Sequence, residues 1–328
     1  MQPVRTTRYL ARRLGHAAIV LIGVSVLAFA FTTLAPGDFL NEMKLDPRIS
    51  PETVAALRDR YGLDQPLPLK YLRWLRSVGR GELGFSFAYN APVAALLWPR
   101  LRNTLLLTVT ASALAWLIAV PVGAWTAGQR GRWADRICAA ATTALLVVPE
   151  LLVGLVLLLL ALRTGYFPVG GMTSVRFADL PPWERLKDLG SHLLLPATAL
   201  ILLSLPVVIR HVRASLIEVL ATPYILATRA RGVPPGRLLF RDALRAAANP
   251  LVSLLGLSIA GLLSTSLVVE TLMSWPGLGP LLLEAIAARD IHLVIGAVMC
   301  STFLLVTGNF VADALLYALD PRVRGDGV

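Results

Sequence analysis

The sequence is short of charge. Asp, Glu, Lys and Arg make up only 16% of its 328 residues, against about 25% in a soluble globular domain. It is also short of cysteine: Cys138 begins one apolar run and Cys300 lies inside another. Two such residues give neither a metal-ligand cluster nor a disulfide framework. A Walker-type glycine-rich loop and a His/Glu metal signature are missing. No paired acids and no nucleophile, base and orienter set stand out. His16, His192, His211 and His292 are scattered near the ends of apolar runs. A membrane-embedded enzyme is therefore disfavoured, no residue is assigned a catalytic role, and no metal is expected.

What the sequence has is long uncharged stretches. Residues 17–35, 103–129, 137–149 with 151–162, 191–209, 246–269 and 291–312 carry no formal charge. Roughly 20 helical residues cross the hydrocarbon core, where every backbone polar group needs an internal partner. The expected class is all-α: a polytopic membrane protein of about six spans, with Glu150 near the middle of the third.

The net charge of +11 does not point to nucleic acid, because the arginines sit between apolar runs. Arg5, Arg8, Arg12 and Arg13 precede the first run with no acid among them, which places the N-terminus in the cytoplasm. A cleaved signal peptide is the competing reading of that start. With the N-terminus inside, the inner pieces (1–16, 130–136, 210–245 and 313–328) hold 16 basic residues. The short outer pieces (163–190 and 270–290) hold five. The C-terminus then falls inside as well. The outer loop 36–102 is too long for that rule.

This loop is also too patterned to be a mere link. Pro51 and Glu52 open a helix expected to reach Arg60, with Ser50 as N-cap. Leu69, Leu72, Trp74 and Leu75 among Lys70, Arg73 and Arg76 read as a short amphipathic helix. It either lies on the membrane or belongs to a small subdomain packed on the bundle. The chain divides accordingly into 1–103 (tail, first span and outer loop) and 104–328 (a transmembrane core). Pro121, Pro149, Pro196 and Pro206 should bend their helices.

Residues 210–249 are the most informative stretch. Thr222 and Pro223 begin a helix that should run to Arg231 and stop at Gly232, and Pro234, Pro235 and Gly236 turn the chain. A second helix follows over about 237–248. Arg237, Arg241 and Arg245 share one of its faces and could grip anionic lipid. Tyr224 and Leu226 give the pair apolar purchase on a partner.

Several ordered motifs resemble one family across nearly the whole chain. Tyr61 through Leu67, Tyr71, Trp74 and Leu75, and Gly81 through Ser86 lie in the outer loop; Pro92, Val93, Arg100 and Thr104 continue the series. Tyr224 through Gly232 come next, then Ala243, Leu244, Arg245 and Pro250. Val269 to Thr271, Ser274 to Gly279, Glu284 to Ile286, Arg289 and Asp290, and Leu319 to Arg324 complete it. The chain resembles the permease subunits of bacterial ABC importers, specifically the first permease of the dipeptide/oligopeptide/nickel branch.

That resemblance implies a type I importer fold in the bacterial inner membrane. It implies a second, homologous permease, two cytoplasmic ATPase subunits that bind ATP and magnesium, and an extracytoplasmic solute-binding protein. The chain itself would hold no cofactor. It assigns ATPase coupling to Tyr224, Leu226, Ala227, Thr228, Arg229, Ala230, Arg231 and Gly232, with Arg237, Arg241 and Arg245 supporting the loop. Glu150, Glu270, Trp275, Pro276, Gly277 and Asn309 are candidates for the pore or its outer mouth. The alternative for Trp275 is an interfacial anchor; for Asn309 it is a packing hydrogen bond. Leu226, Ala227 and Thr228 replace the family's usual Glu-Ala-Ala, Asp242 a usual His and Ala246 a usual Asn. Glu150 replaces a small polar residue and, if it faces the pore, would favour a cationic or amine-bearing substrate; the alternative is a carboxyl neutralised or hydrogen-bonded in a helix contact. Nickel chelates, glutathione or another non-peptide solute could use the same machinery. An ion-coupled secondary transporter is the other class; it would need ligands at midplane breaks of a repeat, and no repeat is apparent.

Overall fold

The computed structural model describes residues 3–34, 50, 52–53, 56, 59 and 65–319. The described chain is helical apart from one two-stranded hairpin. Helix α1 is Pro3–Leu34 and α2 is Leu67–Val78. Strands β1 (Phe85–Ser86) and β2 (Ala91–Pro92) pair antiparallel, Phe85 opposite Pro92. There follow α3 (Val93–Gly128), α4 (Trp133–Val147), α5 (Glu150–Thr164), a 3₁₀ turn and α6 (Pro182–Leu220). Next come α7 (Pro223–Ala230), α8 (Pro235–Arg237), a π-helical stretch Leu238–Ala243 and α9 (Leu244–Ala246). The chain ends in α10 (Ala248–Leu272), α11 (Leu278–Ala287) and α12 (Ile291–Leu319).

Five of these helices are long and apolar enough to span a membrane; the sixth expected span is the pair α4 and α5, bent by 97°. Glu150 is therefore not at the centre of a continuous helix. It is the first residue of a half-span, behind Val148 and Pro149 in extended conformation. Proline has no N–H for the ladder, and a carboxylate suits the positive end of the following helix. Pro196 and Pro206 both lie inside the continuous α6.

The contacts form two compact units. One comprises 9–104 and 276–304, the other 105–275 with the chain ends. The expected boundary at 103/104 falls beside one of these limits, and 276–304 joins the N-terminal stretch.

In the larger unit two apolar clusters mark two levels. The first contains Ala119 to Ala127 of α3, Cys138 of α4, Leu205 to Leu220 of α6, and Leu251 and Leu254 of α10. The second contains Leu106 to Ala111 of α3, Leu157 to Ala161 of α5, Leu189 to Leu203 of α6, and Leu262 and Val269 of α10. Each successive element visits the levels in the opposite order, so consecutive spans are antiparallel. Each 15-residue half of the bent pair is roughly 22 Å long, short of the ~30 Å hydrocarbon core. Helix α4 reaches the first level and α5 the second, the arrangement of a broken span rather than a re-entrant loop.

In the smaller unit α2 packs through Tyr71, Trp74 and Val78 against Phe29 of α1 and Ile295 of α12. Ser25 and Tyr71 share a hydrogen bond of 2.9 Å. The opposite face of α2 leaves Leu69, Leu72 and Leu75 exposed. Further up the loop, the Thr53 N–H donates to Ser50 Oγ at 3.2 Å, the expected cap. The remainder of that helix and Tyr61 to Asp64 lie largely outside the described residues, as does the chain beyond Leu319.

Candidate functional site

The site is the helical hairpin at the first level of the larger unit, where α6 ends and α10 begins. Pro223 takes the first helical position, where its missing N–H costs nothing. Thr222 does not cap as expected: its hydroxyl donates back to the Val219 carbonyl at 2.7 Å. The α7 helix stops at Ala230, and Gly232 adopts φ +80°, a left-handed turn that glycine makes without strain. Its N–H donates to the Arg229 carbonyl at 3.0 Å.

The hairpin has an inner and an outer face. Ile225, Thr228, Leu238, Ala243 and Ala247 are buried. Apart from Thr228, they belong to the first cluster, with Val212 and Leu216 of α6. Leu239 reaches the end of α3, close to Gly128. Tyr224 (61% exposed), Leu226 (51%) and Phe240 (50%) face outward. Ala227, Arg229, Ala230, Arg231 and Gly232 are exposed beside them. Of the eight coupling candidates, Thr228 alone points inward. Its hydroxyl donates to the Tyr224 carbonyl at 2.9 Å, which leaves it a support for α7.

Two participants were missed in the sequence. Ile225, the main anchor, looks like its neighbour Leu226, and only a three-residue step to Thr228 hints at an inner stripe. Phe240 sits among apolar residues with nothing local to single it out. The expected second helix starts at Pro235 and turns π-helical over Leu238–Ala243. Such i→i+5 turns are rare and cluster at functional sites. Arg237, Arg241 and Arg245 remain exposed.

Beside the hairpin, α4 is tied to α6. The Arg213 guanidinium holds Asp135 at both oxygens, Nε to Oδ1 at 2.5 Å and Nη2 to Oδ2 at 2.9 Å. The Gly131 N–H adds a third bond to Oδ2 at 2.9 Å.

The pore and mouth candidates are placed as follows. Glu150 is half-buried and leads the packed stripe of α5, on the face of Val153, Gly154 and Ala161. Asn309 is half-buried beside Gly308, whose backbone abuts Ile259. Glu270 and Trp275 are fully buried, and the Trp275 N–H donates to the Glu270 carbonyl at 2.8 Å. Trp275 packs among Leu107, Leu200 and Leu262, so it is no interfacial anchor; burial in the apolar cluster wins over the membrane surface. In the smaller unit, the Pro276 carbonyl accepts from Asn103 Nδ2 at 2.8 Å and Gly277 is buried. There the Leu278 N–H donates to Thr104 Oγ1 at 2.9 Å. Asp290 is buried and accepts from the Ser86 hydroxyl and from the N–H groups of Ala88 and Leu293. Tyr89 donates its hydroxyl to Glu284, and its pKa is pushed up to about 12 by burial first and that carboxylate second. Among the described residues no group of three His, Cys, Asp or Glu side chains could hold a metal ion.

Two family models match the chain: "Binding-protein-dependent transport system inner membrane component" over residues 119–325, and its N-terminal companion over 6–108. The oligopeptide transport system permease protein AppB of Bacillus subtilis (strain 168) is 33% identical over 318 residues, 96% of this chain and 99% of the relative. The dipeptide transport system permease protein DppB of Escherichia coli (strain K12) is 33% identical over 334 residues, 97% and 98% of the two chains. The oligopeptide permease OppB of Mycobacterium bovis is 31% identical over 324 residues, 97% and 99%. The inward-facing MetNI methionine ABC transporter shares the fold, with a TM-score of 0.54, 18% identity, and coverage of 69% of this chain and 97% of that one. A hairpin displayed at one end of a multi-span bundle and full-length likeness to transport permeases meet in one conclusion: the chain belongs to the binding-protein-dependent transport system inner membrane component family and is an ABC importer permease subunit.

Proposed function

We propose that this chain forms half of the pore of an ATP-driven importer for peptides, with its N-terminus, C-terminus and the 221–247 hairpin on the cytoplasmic side. The single observation that carries this reading is the two-faced hairpin. Tyr224, Leu226 and Phe240 are displayed to solvent while Ile225 and Leu238 root the same element in the span bundle. Large apolar side chains on a stiff exposed knob fit a pocket on a partner. The partner is a cytoplasmic ATPase that binds ATP and magnesium; two copies serve two permeases, this chain and a homologous second one. An extracytoplasmic binding protein delivers the ligand. The permease holds no cofactor and hydrolyses nothing.

Peptides are the preferred substrate class because the similar permeases are named for oligopeptides and dipeptides. Nickel chelates or glutathione would travel by the same mechanism. Glu150, at the leading end of a packed face beside the break, would favour amine-bearing ligands. Arg237, Arg241 and Arg245 are exposed at the rim of the bundle and suit anionic headgroups. No nucleic acid is involved.

The test is purification of the complex from co-expressed subunits, with ATP hydrolysis measured against a ligand panel in proteoliposomes. Ligand-stimulated hydrolysis and uptake of peptide are expected. ATP-independent uptake driven by an ion gradient would overturn the reading. Glu150→Gln should lower uptake of basic relative to neutral peptides, and an unchanged ratio removes Glu150 from selection.

A further inference from the structure

The hairpin is rooted in α6, but the span most able to change shape is the broken pair α4 and α5. What connects them is the ion pair described above. Asp135 lies in the first turn of α4 and its side chain is 6% exposed; Arg213 follows Val212 of the first cluster and its side chain is 30% exposed. The three donors to the carboxylate come from two places: two from the Arg213 guanidinium on α6 and one from the left-handed Gly131 turn that enters α4. A bidentate guanidinium–carboxylate contact fixes orientation as well as distance. It therefore clamps the start of α4 to α6 about two turns before the hairpin begins.

The other half-span packs at the far end of α6 and on α10. A Cβ on Gly154 of α5 would overlap the tip of the Leu272 side chain of α10. Val153 and Ala161 are buried on the same face, Ala161 in the second cluster. Between the halves stand only Val148 and Pro149, both extended, and helical hydrogen bonding resumes with donation back to the Pro149 carbonyl. The Val148 N–H donates back to the Leu145 carbonyl within α4 at 3.3 Å, and Pro149 has no N–H to continue the ladder into α5. Both halves thus pack on α6, α4 near the hairpin and α5 near the far end, but only α4 is clamped to it by a charged pair, and a two-residue link joins them. Hinges of domain motions are such element-terminal residues.

We propose that Asp135 and Arg213 are positioning residues that make α4 travel with α6 and the hairpin, with Val148 and Pro149 as the pivot against α5. This rests on the importer reading. Nucleotide-driven displacement of the hairpin would be passed through the pair into one half of the third span, while the other half keeps its packing on α10 and the far end of α6.

The experiment uses the whole complex in proteoliposomes, with Cys138 and Cys300 replaced by serine. Spin labels at Ala140 on α4 and Val207 on α6 should keep one distance with and without nucleotide. Labels at Ala140 and Leu155 on α5 should change theirs. Asp135→Asn and Arg213→Gln should leave ATP hydrolysis within about twofold, yet reduce solute moved per ATP by about tenfold, the scale of a coupling loss of 1–2 kcal/mol. The reversed pair, Asp135→Arg with Arg213→Asp, should recover most of it. Arg213→Lys should recover less, having lost the fork. If the Ala140–Val207 distance changes with nucleotide in the unsubstituted pair, the strut is wrong, whether or not the variants assemble. Uptake per ATP unchanged in both single variants also overturns it. Absence of ATP-driven uptake by the unsubstituted complex counts instead against the importer reading.

Discussion

Gly123 and Gly154 both sit where a neighbouring helix has moved in, but they differ in what a methyl group would meet. At Gly123 a Cβ would lie 2.8 Å from Val212 Cβ and 3.1 Å from the Ile209 carbonyl; at Gly154 it would meet only the tip of Leu272. A β-branched stem and a backbone oxygen cannot step aside, and a leucine terminus can. Gly123→Ala should destabilise by about 1–3 kcal/mol and Gly154→Ala by clearly less, read from thermal unfolding in detergent. At Asp290, alanine would leave three donors, two of them buried, without their acceptor, at about 1–3 kcal/mol for a buried group so stranded. Asp290→Ala should therefore be worse than Asp290→Asn, which keeps one oxygen, in the same assay. Tyr89 gives a pH signature. Its pKa is raised from 10.0 to about 12, so the protonated phenol is the form the fold favours. Its contribution is full below pH 10 and fades as pH rises through 12. A phenolate transition near 12 should disappear in Tyr89→Phe by ultraviolet difference titration. None of these contacts could be read from spacing. Asp290 meets Ser86 and Ala88 across 204 and 202 residues, and Asp135 meets Arg213 across 78; sequence shows the residue types, and only the fold brings them together.

The hairpin was the most legible element. Pro223 and Gly232 mark its first helix by backbone rules alone, since one lacks an N–H and the other tolerates φ +80°. Its faces were less legible: Ile225 and Leu226 are chemically alike, yet one is buried and the other half exposed. The π-helical stretch was invisible, because Leu238–Ala243 contains nothing that an α-helix would refuse. The division of faces yields a sharp expectation. Leu226→Asp and Phe240→Asp should abolish co-purification of the ATPase, a loss of at least about thirtyfold in affinity for an anchor worth 2 kcal/mol. Membrane insertion should be untouched. Ile225→Asp should instead destabilise the permease itself, because it places a charge in the first apolar cluster. If all three variants behave alike in quantitative pull-down and in thermal unfolding, the two-faced description fails.

At the scale of the molecule, the spans were readable because lipid admits no unpaired backbone, so uncharged runs near 20 residues identify themselves. Which side of each span packs on protein was not readable, since a helix apolar all round has no polar face to set its rotation. The bend in the third span shows the same gap. Pro149 announces a break but not its angle, and 97° separates a crossing from a re-entrant loop only once the contacts of the two halves are known. Those contacts, Cys138 at one level and Ala161 at the other, argue for a crossing. The consequence is testable without transport. Arg132 lies in the turn before α4 and Val175 between α5 and α6, and both are exposed. In a background without Cys138 and Cys300, Arg132→Cys should react with an impermeant maleimide only from the cytoplasmic face. Val175→Cys should react only from the other. Were the bent pair re-entrant, both sites would label from one side, and α6 would begin on the side where the ordering of the two clusters says it ends.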